Sequence, residues 1–572
     1  MRNFPTQYNL QPEDALYFCH IPKTAGMTFR TIVEDYFACE DICPATLNAH
    51  IANIPQLQLE TYRLFRGHLV FVDLPGMLPQ RNFVNVTMLR DPIARVISHY
   101  EYIRRTPGDP HYEAVSNMTL EEFCQRLTVG KVGKNIQTFY IAKTLRFNLE
   151  KLSPQEVLEV AKESLDRYAF VGILERFQDS LFLLSYIFGW KPILNQRKEN
   201  ASATKTTYDG LPQSTIDHIR EHSLLDIELY EYAQEIFNQR FDAMCVDLQA
   251  NSDRPFADSE QLRSLLEKHY EQRYLDLNLP PSDCVKYRFC DPLWGAGWQR
   301  RECPQNELAY RWTGPETIST LDLPVKADAD LLVEFRVICN RSTAPDILDS
   351  LVLKVNNSVV PLTILLDNVS TRLYQARVSR SLLHVNAPFL SLAFEVNRVT
   401  SFNAINPRNP DKRKVGLAIN EVQIFPAAQE GEKSAALDLF DSSYWTEVIN
   451  FVQQRLQAND RVVVPLMAFK IKLQGELFDY ETAIAKGIDF QWAILHKGMA
   501  KQVVSTTLKL MQRGLKPVFA NDVFLVFSRA NLPTLSYLSP HVKSLYLDRL
   551  KLYTTQQLKA FYVKYFERKV SS

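Results

Sequence analysis

From Ala15 to about Phe241 the chain alternates short apolar runs with longer amphipathic stretches, which predicts strands joined by crossover helices around a parallel sheet. Ala15-Leu-Tyr-Phe-Cys-His-Ile21 is a compact apolar run. After a polar turn, Phe29, Ile32, Val33, Tyr36 and Phe37 recur at i, i+3, i+4, i+7 and i+8, the buried stripe of a helix. A second unit repeats the grammar: Phe83 to Leu89 reads as a strand, Asp91 as a helix N-cap, Pro92 as the first helical residue, and Ile93, Val96, Ile97 and Tyr100 as the inward face. A third strand is predicted at Tyr168 to Leu174, leading into a helix through Phe182, Leu183, Tyr186 and Ile187.

The pattern then changes. Asp242 to Asp283 is polar and helical, and Tyr287 to about Pro426 shows period-two alternation with Asn- and Pro-bearing turns, as in Leu331-Leu-Val-Glu-Phe-Arg-Val-Ile338, which predicts a β-sandwich. A polar linker at Gln429 to Ala436 precedes short strands at Val462 to Val464 and Phe490 to Leu495 and a helix from Met499 to Gln512. The expected organisation is an α/β domain over 1–245, a helical linker over 246–285, a β-sandwich over 286–428 and a small α/β domain over 437–572.

Length agrees, since 572 residues exceed what one hydrophobic core organises. Lys+Arg and Asp+Glu both number 65, so no net field draws in nucleic acid, and any anion site must be local. No apolar run is long enough to span a membrane, and Met1 to Asp14 lacks the apolar core of a secretory signal. A cytoplasmic protein is therefore expected. The nine cysteines are irregularly spaced without a Cys-x-x-Cys pair, which predicts free thiols and no metal site. Nothing in the pattern signals an oligomeric state.

The candidate chemistry sits in the two strand-to-helix turns. In His20-Ile-Pro-Lys-Thr-Ala-Gly-Met-Thr-Phe29, Lys23 is followed by Thr24, Ala25, Gly26, Met27 and Thr28 at a helix opening. Backbone N–H groups, the helix dipole and one ammonium there converge on one spot suited to a phosphate. The alternative is an ordinary turn with an exposed lysine; a Walker loop is absent. In Thr87-Met-Leu-Arg-Asp-Pro-Ile-Ala-Arg-Val-Ile-Ser-His-Tyr100, Arg90 ends a strand and Ser98 lies two helical turns on. Ligands of open α/β sheets bind at carboxyl strand ends, so Lys23 and Arg90 are expected to face one crevice; a local Arg90–Asp91 pair is the plainer reading.

These two segments resemble the 5′-phosphosulfate loop and the 3′-phosphate motif of sulfotransferases that use PAPS (3′-phosphoadenosine 5′-phosphosulfate). The resemblance is to the branch containing the heparan sulfate 2-O- and 6-O-sulfotransferases and covers about Ala15 to Phe241. It implies a three-layer, P-loop-like domain on a central parallel sheet and PAPS as donor, with PAP (3′-phosphoadenosine 5′-phosphate) as product and no metal. It also implies cofactor contacts from Lys23, Thr24, Ala25, Gly26, Met27, Thr28, Arg90 and Ser98, joined by Lys198 in the polar stretch Asn195 to Thr207. Phe65-Arg-Gly-His-Leu-Val-Phe-Val-Asp73 is similar to the segment in which the 2-O-sulfotransferases place a catalytic histidine, which makes His68 the implied general base, with Lys23 the second catalytic residue. Arg66 stands where those enzymes have another histidine; taken by itself, a histidine at a strand edge is a structural residue.

The implied reaction is sulfuryl transfer from PAPS to a hydroxyl of a saccharide or glycan acceptor. Because the Golgi relatives carry a membrane anchor not seen here, a soluble member acting in the cytoplasm is expected. Two other readings stand beside it: a P-loop-like nucleotide phosphotransferase, and a non-catalytic carbohydrate-binding protein using Trp294, Trp298 and Trp312 as sugar platforms or, alternatively, as core.

Overall fold

The N-terminal sheet of the computed structural model has four strands, β1 (Asp14–Cys19), β2 (Leu64–Gly67), β3 (Asn82–Leu89) and β4 (Phe170–Ile173), in the order β2-β1-β3-β4. Every pairing is parallel. The structure describes residues 6–125, 134–193, 210–250, 258–277, 280–303, 309–326, 328–338, 344–367, 371–383, 387–405, 407, 409, 411–427, 443–457, 459–465, 473, 475–479, 483, 487–497, 514–536 and 538–543. The linker at Gln429 to Ala436, the Met499 to Gln512 helix and Lys198 lie outside these residues.

β1 is buried along its whole length, as continuous apolar runs in parallel sheets require when helices cover both faces. Its helix α1 (Gly26–Glu34) buries Phe29, Ile32 and Val33 and ends earlier than the periodicity predicts, so Tyr36 and Phe37 follow the helix. Phe29 stacks on Phe170 of β4 at 5.5 Å, joining α1 to the far side of the sheet. After β3, Asp91 caps the helix Pro92–Arg104 by accepting from the Ala94 N–H at 2.8 Å, with Pro92 at the first position. β2 is a short edge strand that no periodicity in four residues could announce.

A buried polar node holds the helices behind the sheet. Asp226, at the start of the helix Leu224–Ala250, accepts from the N–H groups of Gln137 and Thr138 at 3.2 and 2.8 Å and from the Thr138 hydroxyl at 2.8 Å. It thereby caps the helix Ile136–Leu145, and the fully buried Arg95 opposes the burial that raises its pKa. Removing the carboxylate strands these donors beside a buried guanidinium, so Asp226→Ala is expected to lose about 3–5 kcal/mol of stability, read as a fall in urea midpoint. An unchanged midpoint would contradict the cap.

The sequence divides into two compact units, the first comprising residues 1–304, 308–363 and 374–426, the second 305–307, 364–373 and 427–572. The first unit therefore holds both the parallel-sheet domain and the β-rich segment after it. That segment has a four-stranded antiparallel sheet, Ser358–Val360, Val352–Val355, Leu390–Glu395 and Ile318–Leu323 in spatial order. A second sheet is built on Leu331–Ile338, Ala418–Pro426 and Val285–Arg288. Their facing residues, Leu321, Leu353, Leu392 and Phe394 with Val333, Phe335, Val422 and Ile424, share one core. Trp298 lies in this core with its indole N–H bonded to the Thr320 carbonyl at 2.8 Å, Trp312 is buried against Phe402, and Trp294 meets Tyr274 edge-to-face. Trp298 and Trp312 are packing residues, and Trp294 is half-buried.

Charged contacts bind this segment to the end of α1. The buried Arg311 pairs with Asp35 at 2.7 Å, and Arg301 donates to the Glu34 and Phe37 carbonyls at 3.1 and 2.7 Å. In the second unit, Glu476–Asp479, Arg461–Val464 and Trp492–His496 pair in parallel, while Phe524–Ser528 and Lys516–Ala520 continue the sheet antiparallel, a mixed α/β arrangement with the helix Ser443–Gln453 packed against it.

Candidate active site

The strand order β2-β1-β3-β4 reverses direction between β1 and β3, and in an open parallel sheet that switch point forms the ligand crevice at the carboxyl ends. His20 follows β1, His68 follows β2 and Arg90 follows β3, so three adjacent strand ends present the candidate residues along one edge.

The turn after β1 is held in an uncommon conformation. Lys23 and Ala25 both take left-handed backbone angles, with φ of 71° and 60°. Strain of this kind persists where surrounding structure enforces it, and such sites are often functional. The Thr24 hydroxyl donates to the Ile21 carbonyl at 3.0 Å inside the turn. The Phe29 N–H bonds the Ala25 carbonyl at 3.1 Å, so the amides of Gly26, Met27 and Thr28 precede the first helical hydrogen bond and gather at the positive end of α1. Gly26 has no substitute, because a Cβ there would lie 1.9 Å from the His20 ring. His20 is buried and stacked between Phe18 and His68, at centroid distances of 5.2 and 4.4 Å, so it has nowhere to retreat. Gly26→Ala is expected to displace His20 and with it His68, giving at least a tenfold loss of turnover, of the size a misplaced catalytic group costs. Wild-type turnover in that variant would show the contact to be unimportant.

His68 is placed by backbone. Gly67 has φ 128° and passes so close to Thr46 that a Cβ would meet its carbonyl at 2.4 Å, and the His68 N–H donates to that carbonyl at 2.9 Å. The His68 Nδ1 lies 2.9 Å from the His20 carbonyl. A carbonyl only accepts, so Nδ1 carries the proton and Nε2 keeps its lone pair. Burial and the nearby Arg30 hold the His68 pKa below the ordinary imidazole value, against the His20 hydrogen bond, and favour the neutral ring. Arg66 turns elsewhere: it pairs with Glu34 at 2.6 Å and donates to the Cys43 and Ala45 carbonyls, a structural tie between β2 and α1.

Arg90 bridges the switch point, its Nη1 donating to the Lys23 carbonyl at 3.0 Å. Its own backbone is clamped by Gln137, whose amide accepts from the Arg90 N–H at 3.0 Å and donates to the Arg90 carbonyl at 2.8 Å. Gln137 is in turn oriented through its N–H by Asp226, so the buried node reaches the site. Across the crevice the Lys23 ammonium stands 4.1 Å from the Tyr102 ring centre, and Ser98, one helical turn before Tyr102, shares that helix flank. Burial, then repulsion from Arg105 and Arg90, lowers the Lys23 pKa to about 8, with Glu101 opposing. Crowded cations beside the positive end of α1 form a concentrated positive locus in a chain of zero formal charge.

The predicted residues Lys23, Thr24, Ala25, Gly26, Met27, Thr28, His68, Arg90 and Ser98 thus occur on one edge of one sheet. Arg90 bonds the turn, and the Asp91 carboxylate is the helix cap. Sequence reading missed the His20 carbonyl, the Gln137 clamp and Tyr102, since only the fold brings Gln137 to the end of β3. Among the described residues one group has ligand atoms close enough for a metal ion, His218, Glu221 and His222, on the helix Gln213–His222.

This domain is a parallel α/β sheet whose strand-to-helix turns stand at the switch point, where open sheets of this class bind their ligands. Residues 6–235 match the sulfotransferase family model, and this part of the chain is a sulfotransferase-family domain. Similar curated proteins include heparan-sulfate 6-O-sulfotransferase 1 of Cricetulus griseus, 26% identical over 287 residues that make up 41% of this chain and 70% of that protein. Heparan-sulfate 6-O-sulfotransferase 1-B of Danio rerio is 27% identical over 283 residues, 41% of this chain and 68% of that protein. Heparan-sulfate 6-O-sulfotransferase 3 of Mus musculus is 25% identical over 288 residues, 41% and 60% respectively.

These relatives correct one expectation. A cytoplasmic location, read from the N-terminus and the lack of an apolar span, does not stand beside kinship with heparan-sulfate 6-O-sulfotransferases, which are not cytoplasmic enzymes. The physical reason for the error is that membrane passage and targeting are not encoded in the catalytic fold. No helix among the described residues is long and apolar enough to cross a membrane, and that fact assigns no compartment.

Proposed function

We propose that residues 6–235 transfer the sulfuryl group of PAPS to a hydroxyl of a glycosaminoglycan-like saccharide, with His68 as general base. The observation that carries this reading is that His68, Lys23 and Arg90 follow three adjacent parallel strands, with Arg90 bonded to the Lys23 carbonyl. The amides of Gly26 to Thr28 and the Lys23 ammonium suit the 5′-phosphosulfate of a P-loop-like cradle, and Arg90 with Ser98 suits the 3′-phosphate.

In the proposed step the acceptor oxygen attacks sulfur in line, its proton passes to His68 Nε2, and the bond from sulfur to the 5′-phosphate oxygen breaks. Charge then accumulates on the departing PAP, where Lys23 and the helix amides stabilise it. The acceptor class is supported by the similarity to heparan-sulfate 6-O-sulfotransferases.

The test is incubation with labelled PAPS and a panel of heparan sulfate, other glycosaminoglycans, lipid-linked sugars and small alcohols, followed by mass spectrometry. Label on a saccharide is expected; label on none of them would reject the acceptor class. Thermal shift with PAP against ATP plus magnesium separates this reading from phosphotransfer, since only PAP is expected to stabilise the protein.

A further inference from the structure

Cys39 and Cys303 are 264 positions apart in sequence, yet their sulfurs lie 3.5 Å from each other. Cys39 opens the short helical turn Cys39–Asp41 that comes after α1; Cys303 follows the segment bearing Arg301, which holds the end of α1. Cys39 is half-buried and Cys303 exposed, so a small reagent has access to the pair.

The surroundings suit a thiolate. Arg301 directs Nη1 at the Cys39 sulfur from 3.0 Å, and the same guanidinium is fixed by the carbonyls of Glu34, Phe37 and Cys290. The Cys39 N–H is bonded to the Cys290 carbonyl at 2.8 Å, so its backbone is pinned as well. The thiol hydrogen bond from Cys303, then Arg301 and Arg311, bring the Cys39 pKa down to about 6 despite burial. The same hydrogen bond and burial push the Cys303 thiol up. One sulfur is thus the nucleophile and the other a proton-holding neighbour.

We propose that Cys39 and Cys303 are a thiol–disulfide exchange site, oxidised by a low-molecular-weight disulfide to a bond that staples the sulfotransferase domain to the β-rich segment. The Cys39 thiolate attacks one sulfur of the reagent; a Cys39–reagent disulfide forms and the first reagent thiolate leaves. Cys39 then no longer carries the charge that kept Cys303 protonated. Cys303 gives its proton to solvent and attacks the Cys39 sulfur, the mixed disulfide breaks, and the second reagent thiolate departs. Two protein thiols are oxidised and one reagent disulfide is reduced to two thiols. Bond formation needs the sulfurs to approach from 3.5 Å to about 2.05 Å, a movement within reach of side-chain rotation.

The test uses the full chain with glutathione disulfide at pH 7, quenched by alkylation and mapped by mass spectrometry. The expected product is a cross-linked pair of peptides containing Cys39 and Cys303. Cys303→Ser is expected to accumulate a glutathione adduct on Cys39, and Cys39→Ser to yield no cross-linked pair of peptides. Alkylation of Cys39 should be about tenfold or more faster than that of Cys245, with half its maximal rate near pH 6. A Cys39–Cys290 linkage, a lasting glutathione adduct on wild-type Cys39, or Cys39 reacting no faster than Cys245 would each overturn the assignment.

Discussion

His68→Ala is expected to lower sulfuryl transfer by about two to four orders of magnitude while PAP binds with nearly unchanged affinity. An acceptor alcohol is far too weak an acid to ionise near neutrality, so the step depends on a base within hydrogen-bond reach. The His20 carbonyl fixes the tautomer of His68 that leaves Nε2 free, and its depressed pKa keeps the ring neutral. The sign of the pH dependence follows: kcat/KM should rise with pH through a pKa below 6.5 and then level. None of the turn amides or Arg90 depends on His68 for its hydrogen bonds, so calorimetry with PAP should match wild type. Loss of PAP binding in step with turnover would reassign His68 to the nucleotide site, and retained turnover would remove it from the chemistry.

The sequence made the two β-turn-α units legible because each rule that predicts them is local. Apolar runs give β1 and β3, Asp91 and Pro92 give the helix start, and Lys23 to Thr28 give the turn. What stayed hidden depends on contacts between distant segments. The Gly26 constraint comes from a ring just past the end of β1, and the orientation of His68 comes from a carbonyl 48 residues away. The Arg90 clamp comes from Gln137, itself held by Asp226, 89 positions further on. Likewise Trp298 and Trp312 read equally as sugar platforms or core until the strands that bury them are paired. The cysteines illustrate the same limit, since irregular spacing suggests unconnected thiols whereas the fold sets two sulfurs side by side.

Lys23→Ala is expected to cost about 10²–10³-fold in turnover, the loss seen when one preorganised contact to developing charge is removed. The left-handed backbone at Lys23 and the Arg90 bond to its carbonyl are main-chain features that alanine leaves in place, so the loss would report the ammonium itself. Repulsion from Arg105 and Arg90, added to burial, holds the free Lys23 near pKa 8, and an arriving anion relieves that repulsion and raises the value. The lysine therefore contributes affinity fully below pH 8, and this contribution fades as pH rises through the pKa of the bound state. PAP affinity in the wild type should fall between pH 7 and 10, with proton uptake on binding near pH 8 visible as buffer-dependent calorimetric enthalpy. Lys23→Ala should lose that proton uptake and flatten the affinity profile. A variant that keeps both turnover and proton uptake would show that the positive locus lies elsewhere on the sheet edge.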